Sequence, residues 1–354
     1  MSINLAYDRH YMQICLSLAT RGWGTTLTNP LVGAVIVKDN RIVGQGLHWK
    51  LGEAHAEIIA LIDAGTRARG ATLYVNLEPC CCVGRTPPCV SAIVQAGIKR
   101  VVIGMIDPNP RVCGKGVEQL RTHGIEVSTG VLDQNVFDLN RAYSAFIART
   151  TPYSIMKIAV SANGKISGFK HRYITGTPSL RYVHSLRSQV SAVLIGKNTV
   201  LCDDPQLTDR LVGRHDPARI ILDPDLEIPI QARVLEPGVR RMIFTRSKNE
   251  EKIKILQDTG TEIIFFEGDL YPLSQLLPAL RTMEIGSLLI EGGGMVFNEF
   301  YQEKVYDEIY LFMANQQTKE GLSLTEPLLN SIVSQDTRPQ MVGEDRLYHV
   351  YRDH

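Results

Sequence analysis

The sequence has almost no net charge, because 38 Lys and Arg residues oppose 37 Asp and Glu residues and leave a formal charge of +1 at pH 7. Proteins that bind nucleic acids usually carry a basic surplus, since neutralising phosphates supplies much of their affinity. No run of five or six like charges is present to form a charged tail. We therefore expect no nucleic-acid partner, unless a local basic patch forms on the folded surface.

The sequence also lacks long apolar segments, and no stretch approaches the roughly 18 residues that span a bilayer. Residues 1–10 include Asp8 and Arg9 and contain no apolar core of an export signal. We therefore expect a soluble, cytoplasmic protein with no membrane partner. Internal repeats and biased segments are missing as well, and 44% apolar with 21% charged residues is an ordinary globular composition.

Seven cysteines are present, which is an odd number for a framework of disulfides. In a long chain with no expected export, such a framework is disfavoured. Four of the seven lie close together, at Cys80, Cys81, Cys82 and Cys89. This clustering indicates metal binding or reactive-thiol chemistry.

The chain has 354 residues, enough for about two domains of ~150 residues. Strand and helix signals alternate in both halves, which predicts sheets covered by helices. In the first half, Asp8 is predicted to cap the first helix and residues 133–148 to form one long helix. The helical pattern stops at Arg149, and a proline at position 152 disfavours helix in the residue before it. We predict two α/β domains, residues 1–149 and 152–354, with the helices of the second at 180–187, 273–283 and 295–302.

One histidine and two cysteines of the first half stand where they suit a zinc ion. His55 opens a predicted helix, Cys80 follows a predicted strand, and Cys89 begins another helix. An imidazole and two thiolates make three tetrahedral ligands of zinc, and a catalytic zinc keeps its fourth position for water. The metal lowers the pKa of that water from about 15.7 toward ~7, which makes hydroxide available at neutral pH.

Glu57 lies two positions beyond His55, in the first turn of the same predicted helix. A carboxylate there lies beside the metal without binding it, and it can carry a proton from the water to a leaving amine. The order His-x-Glu, Pro-Cys and a second Cys is the arrangement of zinc deaminases. The alternative is a closed structural zinc site with four protein ligands, which would make the protein an interaction module.

Several segments of the first half resemble the family of bifunctional riboflavin-biosynthesis deaminases/reductases (RibD). The matching segments are Thr28-Asn29-Pro30-Leu31-Val32-Gly33, His55-Ala56-Glu57, Leu77-Glu78-Pro79-Cys80, Gly84-Arg85-Thr86-Pro87-Pro88-Cys89 and Asp107-Pro108-Asn109-Pro110. Eight residues separate Cys80 from Cys89, where zinc deaminases commonly have two, and the long loop ending in Thr-Pro-Pro-Cys is specific to this family. The resemblance covers nearly the whole chain.

The resemblance implies a cytidine-deaminase-like α/β/α fold for the first domain. Its activity would be the zinc-dependent hydrolysis of the 2-amino group of 2,5-diamino-6-(5-phosphoribosylamino)pyrimidin-4(3H)-one. One zinc ion per chain would bind His55, Cys80 and Cys89, and Glu57 would transfer the proton. Asn29 would contact the substrate ring, and its alternative is a turn residue before a proline. Cys81 and Cys82 are expected to be bystanders, because three ligands already leave one position for water.

The second half resembles the reductase of the same family, which has a dihydrofolate-reductase-like α/β fold. The matching residues are Met156-Lys157, Ser161 to Lys165, Tyr173 to Gly176, Gly196, Thr199-Val200, Asp203 to Thr208 and Glu291 to Gly294. The implied activity is hydride transfer from NADPH to the ribosyl chain of 5-amino-6-(5-phosphoribosylamino)uracil, which becomes ribityl. The partners would be small phosphoribosylaminopyrimidines, and a homo-oligomer is expected.

The resemblance also assigns cofactor and substrate positions in this domain. The positions for NADPH are Ala159, Tyr173, Thr199, Asp203, Gly293, Gly294, Met295, Val296, Phe297, Asn298 and Glu299. The positions for the substrate are Lys157, His171, Arg187, Leu207, Arg210 and Glu291. Guanidinium groups match phosphate oxygens, so Arg187 and Arg210 would hold the substrate phosphate. Their alternative is a solvated surface arginine.

Two features of the second half indicate ligands without reference to the family. Residues Gly292 to Gly294 lie between a predicted buried strand and a predicted helix, and bare backbone amides at a helix N-terminus suit phosphate. The segment is not the G-x-G-x-x-G fingerprint of a standard dinucleotide fold, and a flexible turn is its alternative. Lys157 lies within an apolar strand, where an unpaired charge is costly, so we expect a ligand or an acidic partner for it.

The chain departs from the family pattern at several positions. Cys82 stands where the family usually has His, and Ala162-Asn163 stands where Leu-Asp is usual. Tyr173 replaces the usual Trp, and the segment between Ile166 and Arg172 is short. The alternative to a two-step enzyme is therefore a deaminase with a weakened or inactive reductase domain. A tRNA adenosine deaminase is a further alternative, which the lack of a basic surplus disfavours.

Overall fold

The computed structural model of the protein describes residues 2–26, 28–82, 87–169, 173–268, 271–336 and 338–352. The chain forms two compact units, residues 1–149 and 150–354. Each unit is built on a sheet with helices packed on both faces, as the alternating signals predict. Within the described ranges, no helix is both long and apolar enough to cross a membrane.

The first unit alternates strands and helices from end to end. Its elements are α1 (Ser2–Ala19), β1 (Gly33–Lys38), β2 (Arg41–Leu47), α2 (Ala56–Ala64), β3 (Thr72–Leu77), α3 (Cys89–Gln95), β4 (Arg100–Met105), α4 (Lys115–Thr122), β5 (Glu126–Thr129), α5 (Asp133–Leu139) and α6 (Arg141–Ala148). The strand order is β2-β1-β3-β4-β5. β1 is antiparallel to both of its neighbours, whereas β3, β4 and β5 are parallel.

Alternation along the strands sends apolar side chains to both faces of this sheet. On one face, Val35 and Val102 pack with Met12 of α1. On the other face, Ile36 and Ile103 pack with the buried residues of α2, α3 and α4. Because α2 and α3 lie in the same layer, their first residues come close to the loop that follows β3.

Two local predictions for this unit are wrong, and both fail for the same reason. α1 begins at Ser2, so Asp8 lies within the helix and does not cap it. The buried carboxylate of Asp8 instead accepts hydrogen bonds from both Nη atoms of Arg100, each at 2.8 Å, and from the Tyr74 hydroxyl at 3.0 Å. The single helix predicted over residues 133–148 is divided at Asn140, whose side chain hydrogen-bonds the backbone N–H and C=O of Leu31. Partners distant in sequence decide both features.

Replacing Asp8 with alanine is expected to lower the free energy of unfolding of the first unit by about 3 kcal/mol, because the Arg100 charge and the Tyr74 hydroxyl lose their partner. Both tryptophans, at positions 23 and 49, belong to this unit, so fluorescence-monitored urea unfolding reports on it alone. The control is Asp138→Ala, which removes a more exposed ion pair with Arg141 and should cost less than about 0.5 kcal/mol. Equal losses in the two variants would contradict this interpretation.

The second unit repeats the alternation on a larger scale. Its elements are β6 (Tyr153–Val160), α7 (Thr177–Arg187), β7 (Ala192–Gly196), α8 (Lys197–Asp203), β8 (Ala218–Leu222), β9 (Arg241–Thr245), α9 (Glu250–Asp258), β10 (Thr261–Phe265), α10 (Leu273–Thr282), β11 (Ser287–Ile290), α11 (Gly294–Gln302), β12 (Glu308–Met313), α12 (Glu326–Gln335), β13 (Gln340–Val342) and β14 (Asp345–Tyr351). The strand order is β10-β9-β8-β7-β11-β6-β12-β14-β13.

The parallel part of this sheet brings functional candidates to one edge. The strands from β10 to β12 run parallel, and β14 and β13 continue the sheet antiparallel. β11 lies between β7 and β6, and Met156 of β6 pairs with Ile290 of β11. Since neighbouring parallel strands end at the same edge, the residues after β7 and β11 lie beside the last residues of β6.

The three helices predicted for this unit are present as α7, α10 and α11, but several other elements were not predicted. These are α8, α9, α12, β13 and β14. α8 and α9 each bury a single residue, Val200 and Leu256 respectively. A helix with one buried residue shows little apolar periodicity, so the pattern in the sequence is too weak to reveal it.

Candidate active sites

The metal-ligand residues predicted from the sequence come from the ends of three elements. His55 is the N-cap residue of α2, Cys89 is the first residue of α3, and Cys80 lies three positions after the end of β3. Nδ1 of His55 is 3.2 Å from Sγ of Cys89 and 3.5 Å from Sγ of Cys80. The structure therefore brings the three donors together, within 4.8 Å of one another.

These distances fit a zinc ion. With Zn–N near 2.0 Å and Zn–S near 2.3 Å, a tetrahedral arrangement separates a nitrogen and a sulfur ligand by about 3.5 Å. One imidazole and two sulfur atoms are donors that zinc prefers, and three protein ligands leave a fourth position for water. The backbone N–H of Cys89 also donates to Sγ of Cys80 at 3.3 Å, which fixes one sulfur against the start of α3.

Hydrogen bonds among the three side chains set their protonation. A hydrogen bond from Cys89 lowers the pKa of Cys80 to about 4, and His55 contributes in the same direction against the effect of burial. The pKa of Cys89 is raised, because it holds the proton shared with Cys80 and is buried. The hydrogen bond to Cys80 raises the pKa of His55. The cluster therefore favours a thiolate at Cys80, the form in which cysteine binds metals.

Glu57 is buried beside this cluster, with only 4% of its surface exposed. Burial raises the pKa of Glu57 to about 7, the negative charge of Cys80 adds to the rise, and His55 opposes it. A carboxyl group whose pKa lies near neutrality can both accept and release a proton under working conditions. Position and pKa together suit the acid–base role predicted for this residue.

The loop that carries Cys80 is fixed by Glu78, which was not predicted as a site residue. The buried Glu78 carboxylate accepts hydrogen bonds from the backbone N–H groups of Asp107 at 3.2 Å, Gly114 at 2.9 Å and Val117 at 3.1 Å. It thereby holds the start of α4 and the loop before it against residues 78–80. A negative charge at a helix N-terminus is also electrostatically favourable.

His48, a residue that sequence analysis missed, lies between Asn29 and the predicted metal ligand His55. Nδ2 of Asn29 is 3.0 Å from Nε2 of His48, and Nδ1 of His48 is 3.2 Å from the carbonyl oxygen of Ala54. The rings of His48 and His55 meet edge to face at 5.4 Å. Burial lowers the pKa of His48, so the neutral ring donates from Nδ1 and accepts at Nε2. Its position directly after β2 is the feature of the sequence that could have indicated His48 as a site residue.

In the second unit, Lys157, Arg187 and Glu291 form an ion cluster. Nε and Nη2 of Arg187 donate to the two carboxylate oxygens of Glu291 at 2.5 Å and 2.9 Å, and Nζ of Lys157 lies 3.0 Å from Oε2. Burial acts to raise the pKa of Glu291, but the two cations hold it well below its usual range. Glu291 is thus the acidic partner expected for Lys157, and the cluster keeps one positive charge in excess.

Thr208 connects this cluster to two further predicted site residues. Its carbonyl oxygen accepts a hydrogen bond from Nη1 of Arg187 at 3.1 Å, and its hydroxyl accepts one from Nη1 of Arg210 at 3.1 Å. Nη2 of Arg210 donates to the Tyr173 hydroxyl at 3.2 Å. One continuous network therefore joins the predicted substrate side to an aromatic residue of the predicted cofactor side.

Other residues near the cluster differ in what they can offer a ligand. The Leu207 side chain is buried in the core, so only the backbone of this residue is available to a ligand. That backbone has a left-handed conformation, with φ +56°. His171 lies outside the described residues. His184, which was not predicted, is buried one turn before Arg187; burial lowers its pKa to about 4, and its Nδ1 atom has no hydrogen-bond partner within the described chain.

Seven of the eleven predicted cofactor positions, residues 293–299, lie at the start of α11. A Cβ atom at Gly293 would lie 3.6 Å from Oγ1 of Thr199, so these two positions are adjacent. Val296 and Phe297 are buried in the core and anchor the helix, whereas the Met295 side chain is 72% exposed. Of the remaining positions, Gly294, Asn298, Glu299 and Ala159 are partly buried, and Asp203 is exposed at the end of α8.

Comparison with known proteins identifies both halves of the chain. Residues 6–105 match the family model of the cytidine and deoxycytidylate deaminase zinc-binding region. Residues 152–315 match the model of the RibD C-terminal domain. These matches confirm the succession of a deaminase-like and a reductase-like α/β domain that the motifs predict.

Relatives match over almost the full length. The riboflavin biosynthesis protein RibD of Aquifex aeolicus is 44% identical over 328 residues, which is 92% of each chain. That of Synechocystis sp. is 39% identical over 355 residues, 97% of this chain and 96% of the relative. The solved structure of a diaminohydroxyphosphoribosylaminopyrimidine deaminase/5-amino-6-(5-phosphoribosylamino)uracil reductase from Thermotoga maritima, 34% identical, has a TM-score of 0.84 and covers 99% of this chain and 100% of its own. The chain therefore belongs to the RibD family, the bifunctional deaminases/reductases of riboflavin biosynthesis.

Proposed function

We propose that the first unit hydrolyses the 2-amino group of 2,5-diamino-6-(5-phosphoribosylamino)pyrimidin-4(3H)-one, with one zinc ion held by His55, Cys80 and Cys89. The observation that carries this proposal is the meeting of the three donors beside the buried Glu57 carboxylate. When bound, zinc supplies a nucleophile at neutral pH by lowering the pKa of a water molecule toward ~7. The name of the Thermotoga maritima relative, a pyrimidine deaminase, supports this substrate class.

The remaining steps fall to side chains of the first unit. Glu57 takes a proton from the attacking water and later donates it to the leaving amine, which departs as ammonia. Because His48 engages Nδ2 of Asn29, we expect Oδ1 to be the atom of Asn29 that accepts a hydrogen bond from the pyrimidine ring.

The second unit would reduce the ribosyl chain of 5-amino-6-(5-phosphoribosylamino)uracil with NADPH, which supplies the hydride when bound. The start of α11 after Gly293 offers backbone N–H groups to the cofactor phosphates, with Thr199 adjacent. The excess positive charge of the Lys157, Arg187 and Glu291 cluster, with exposed Arg210 nearby, suits the substrate phosphate. The second candidate function is a deaminase whose reductase domain is weakened or inactive, because Ala162-Asn163 and Tyr173 depart from the family pattern.

We further propose that the enzyme acts in the cytoplasm as a homo-oligomer, on small molecules and without nucleic-acid or membrane partners. The formal charge of +1 supports the absence of nucleic acid, since phosphate neutralisation dominates such binding. Light scattering of the purified protein measures the oligomeric state, and a monomer would contradict that part of the proposal.

The proposal is tested by supplying the diaminopyrimidinone phosphate and NADPH to the zinc-loaded enzyme. Ammonia release and NADPH oxidation are followed separately, and both are expected. Ammonia release without NADPH oxidation would establish the second candidate, a deaminase with an inactive reductase. Absence of ammonia release from protein with one zinc per chain would contradict the deaminase assignment.

Glu78→Ala is expected to weaken zinc binding about tenfold, in the range seen when groups that orient metal ligands are removed. The change leaves three backbone N–H groups without their acceptor and frees the loop that positions Cys80. Competition with a chelator at fixed zinc concentration measures the affinity. Glu118→Ala, on the exposed face of α4, is the control and should bind zinc like the wild type. Unchanged affinity in the Glu78 variant would contradict this positioning role.

A further inference from the structure

We propose that Cys81 and Cys82 form a second site, a dithiol that chelates a single thiophilic ion of the class of trivalent arsenic. The two Sγ atoms lie 3.6 Å apart. Cys82 is exposed and Cys81 is partly exposed, so an ion can reach both sulfurs from solvent. This inference stands on these side chains alone and does not depend on the function proposed above.

The distance between the two sulfurs favours a chelate over a disulfide. An ion with bonds of about 2.3 Å to each sulfur and a bond angle of about 100–110° separates them by about 3.5–3.8 Å, a range that contains the observed value. A disulfide would require the sulfurs to close to about 2.05 Å. Consecutive Cα atoms are about 3.8 Å apart across a trans peptide, which is below the usual disulfide range of about 4.4–6.8 Å.

Both sulfurs of the pair face the same backbone carbonyl oxygen. Sγ of Cys82 donates to the carbonyl oxygen of Arg111 at 3.2 Å, and Sγ of Cys81 lies 4.0 Å from the same oxygen. Nζ of Lys115 donates to this oxygen at 3.4 Å and to that of Pro110 at 3.0 Å. The carbonyl oxygen of Arg111 therefore keeps a hydrogen-bond donor, Nζ of Lys115, when both sulfurs bind the ion.

The dithiol is separate from the cluster that holds zinc, although it follows Cys80 directly in sequence. Sγ of Cys80 contacts His55 and Cys89, whereas the next two sulfurs contact the loop before α4. The Cys80 side chain and those of the next two cysteines therefore contact different parts of the first unit. With only two protein ligands, the second site suits an ion that forms two strong bonds to sulfur and takes its other ligands from solvent or from its own substituent.

Phenylarsine oxide is the probe, because its hydrate reacts with two thiols without any change of oxidation state. Each thiol forms one As–S bond while one As–O bond breaks. The two thiol protons leave with the two hydroxyl groups as water, and the phenyl group stays on arsenic.

The experiment treats the full chain, loaded with one equivalent of zinc, with phenylarsine oxide and determines the adduct by native mass spectrometry. We expect one phenylarsenic group per chain, released by an excess of a dithiol but not of a monothiol. Zinc content should stay unchanged, and fragmentation of the peptide that contains residues 80–82 should place arsenic on Cys81 and Cys82 rather than on Cys80.

Variants supply the matched comparison. Cys81→Ser and Cys82→Ser should each abolish the dithiol-reversible adduct, whereas Cys202→Ser, which changes an exposed cysteine of the second unit, should retain it. The proposal is overturned if the wild type takes up no arsenical, if mapping places arsenic on Cys80 or Cys89, or if zinc is displaced in proportion to uptake.

Discussion

Glu57→Gln is expected to lower the rate of ammonia release by about 10³-fold, within the range that a positioned acid–base group contributes to catalysis. The amide preserves the size of the side chain but neither accepts the proton of the attacking water nor delivers it to the leaving amine. Ammonia release from the diaminopyrimidinone phosphate measures this step. Zinc content and NADPH oxidation with the deaminated substrate should both stay at the wild-type level, because neither requires this carboxylate.

The control for this variant is Glu53→Gln, an exposed carboxylate just before the same helix. Its rate of ammonia release should equal that of the wild type. Near-normal release from zinc-loaded Glu57→Gln would overturn the acid–base assignment. A loss of zinc in the variant would instead place Glu57 among the groups that hold the metal, which also contradicts the role given to it here.

Glu291→Gln is expected to produce the converse result, with NADPH oxidation at least about 100-fold slower and ammonia release unchanged. The substitution leaves the positive charges of Lys157 and Arg187 beside a neutral amide, so the two side chains repel each other and shift. A displacement of about 1 Å in a substrate site lowers the rate by about 10²-fold. The second unit should also lose about 3 kcal/mol of stability, since removing one partner leaves uncompensated buried charge. Hydrogen exchange of peptides from β6, α7 and β11 measures that loss.

The pH dependence of this effect follows from the depressed pKa of Glu291. The stabilisation is fully present above the pKa of an unfolded glutamate, about 4.3, and is lost as the pH falls through the lower pKa of the folded state. The stability difference between wild type and Glu291→Gln should therefore be constant near neutrality and shrink in strong acid. Glu303→Gln, an exposed change at the end of α11, should show neither effect. A difference that grew toward acid pH would contradict the ion-cluster interpretation.

The sequence predicted that His55, Cys80 and Cys89 would meet, because the chemistry of a zinc site restricts both residue type and spacing. Few side chains bind zinc, and His55, Cys80 and Cys89 each stand at the junction of a loop with a strand or helix, where patterns of apolar residues end. The position of Glu57 beside these ligands could also be predicted. It lies two residues after His55 in the first turn of the same helix, and helix geometry determines where its side chain lies.

Residues that act through long-range contacts could not be predicted in this way. The role of Glu78 depends on backbone N–H groups from residues 107–117, and that of His48 depends on the approach of Asn29. The second unit was harder still, because Leu207 and Gly293 offer a ligand mainly backbone atoms, and backbone atoms do not restrict residue type. The cysteine cluster in the sequence indicated metal or thiol chemistry, but the distance between the Cys81 and Cys82 sulfurs, on which the proposed dithiol rests, required the structure.

The central claim is that zinc binds one imidazole and two thiolates and keeps a position for water. Zinc K-edge X-ray absorption on protein with a single equivalent of zinc tests it most directly. We expect two sulfur ligands near 2.3 Å and two nitrogen or oxygen ligands near 2.0–2.1 Å, one of them lost in a His55→Ala variant. A shell of three or four sulfur atoms, or an unchanged spectrum in that variant, would contradict the account.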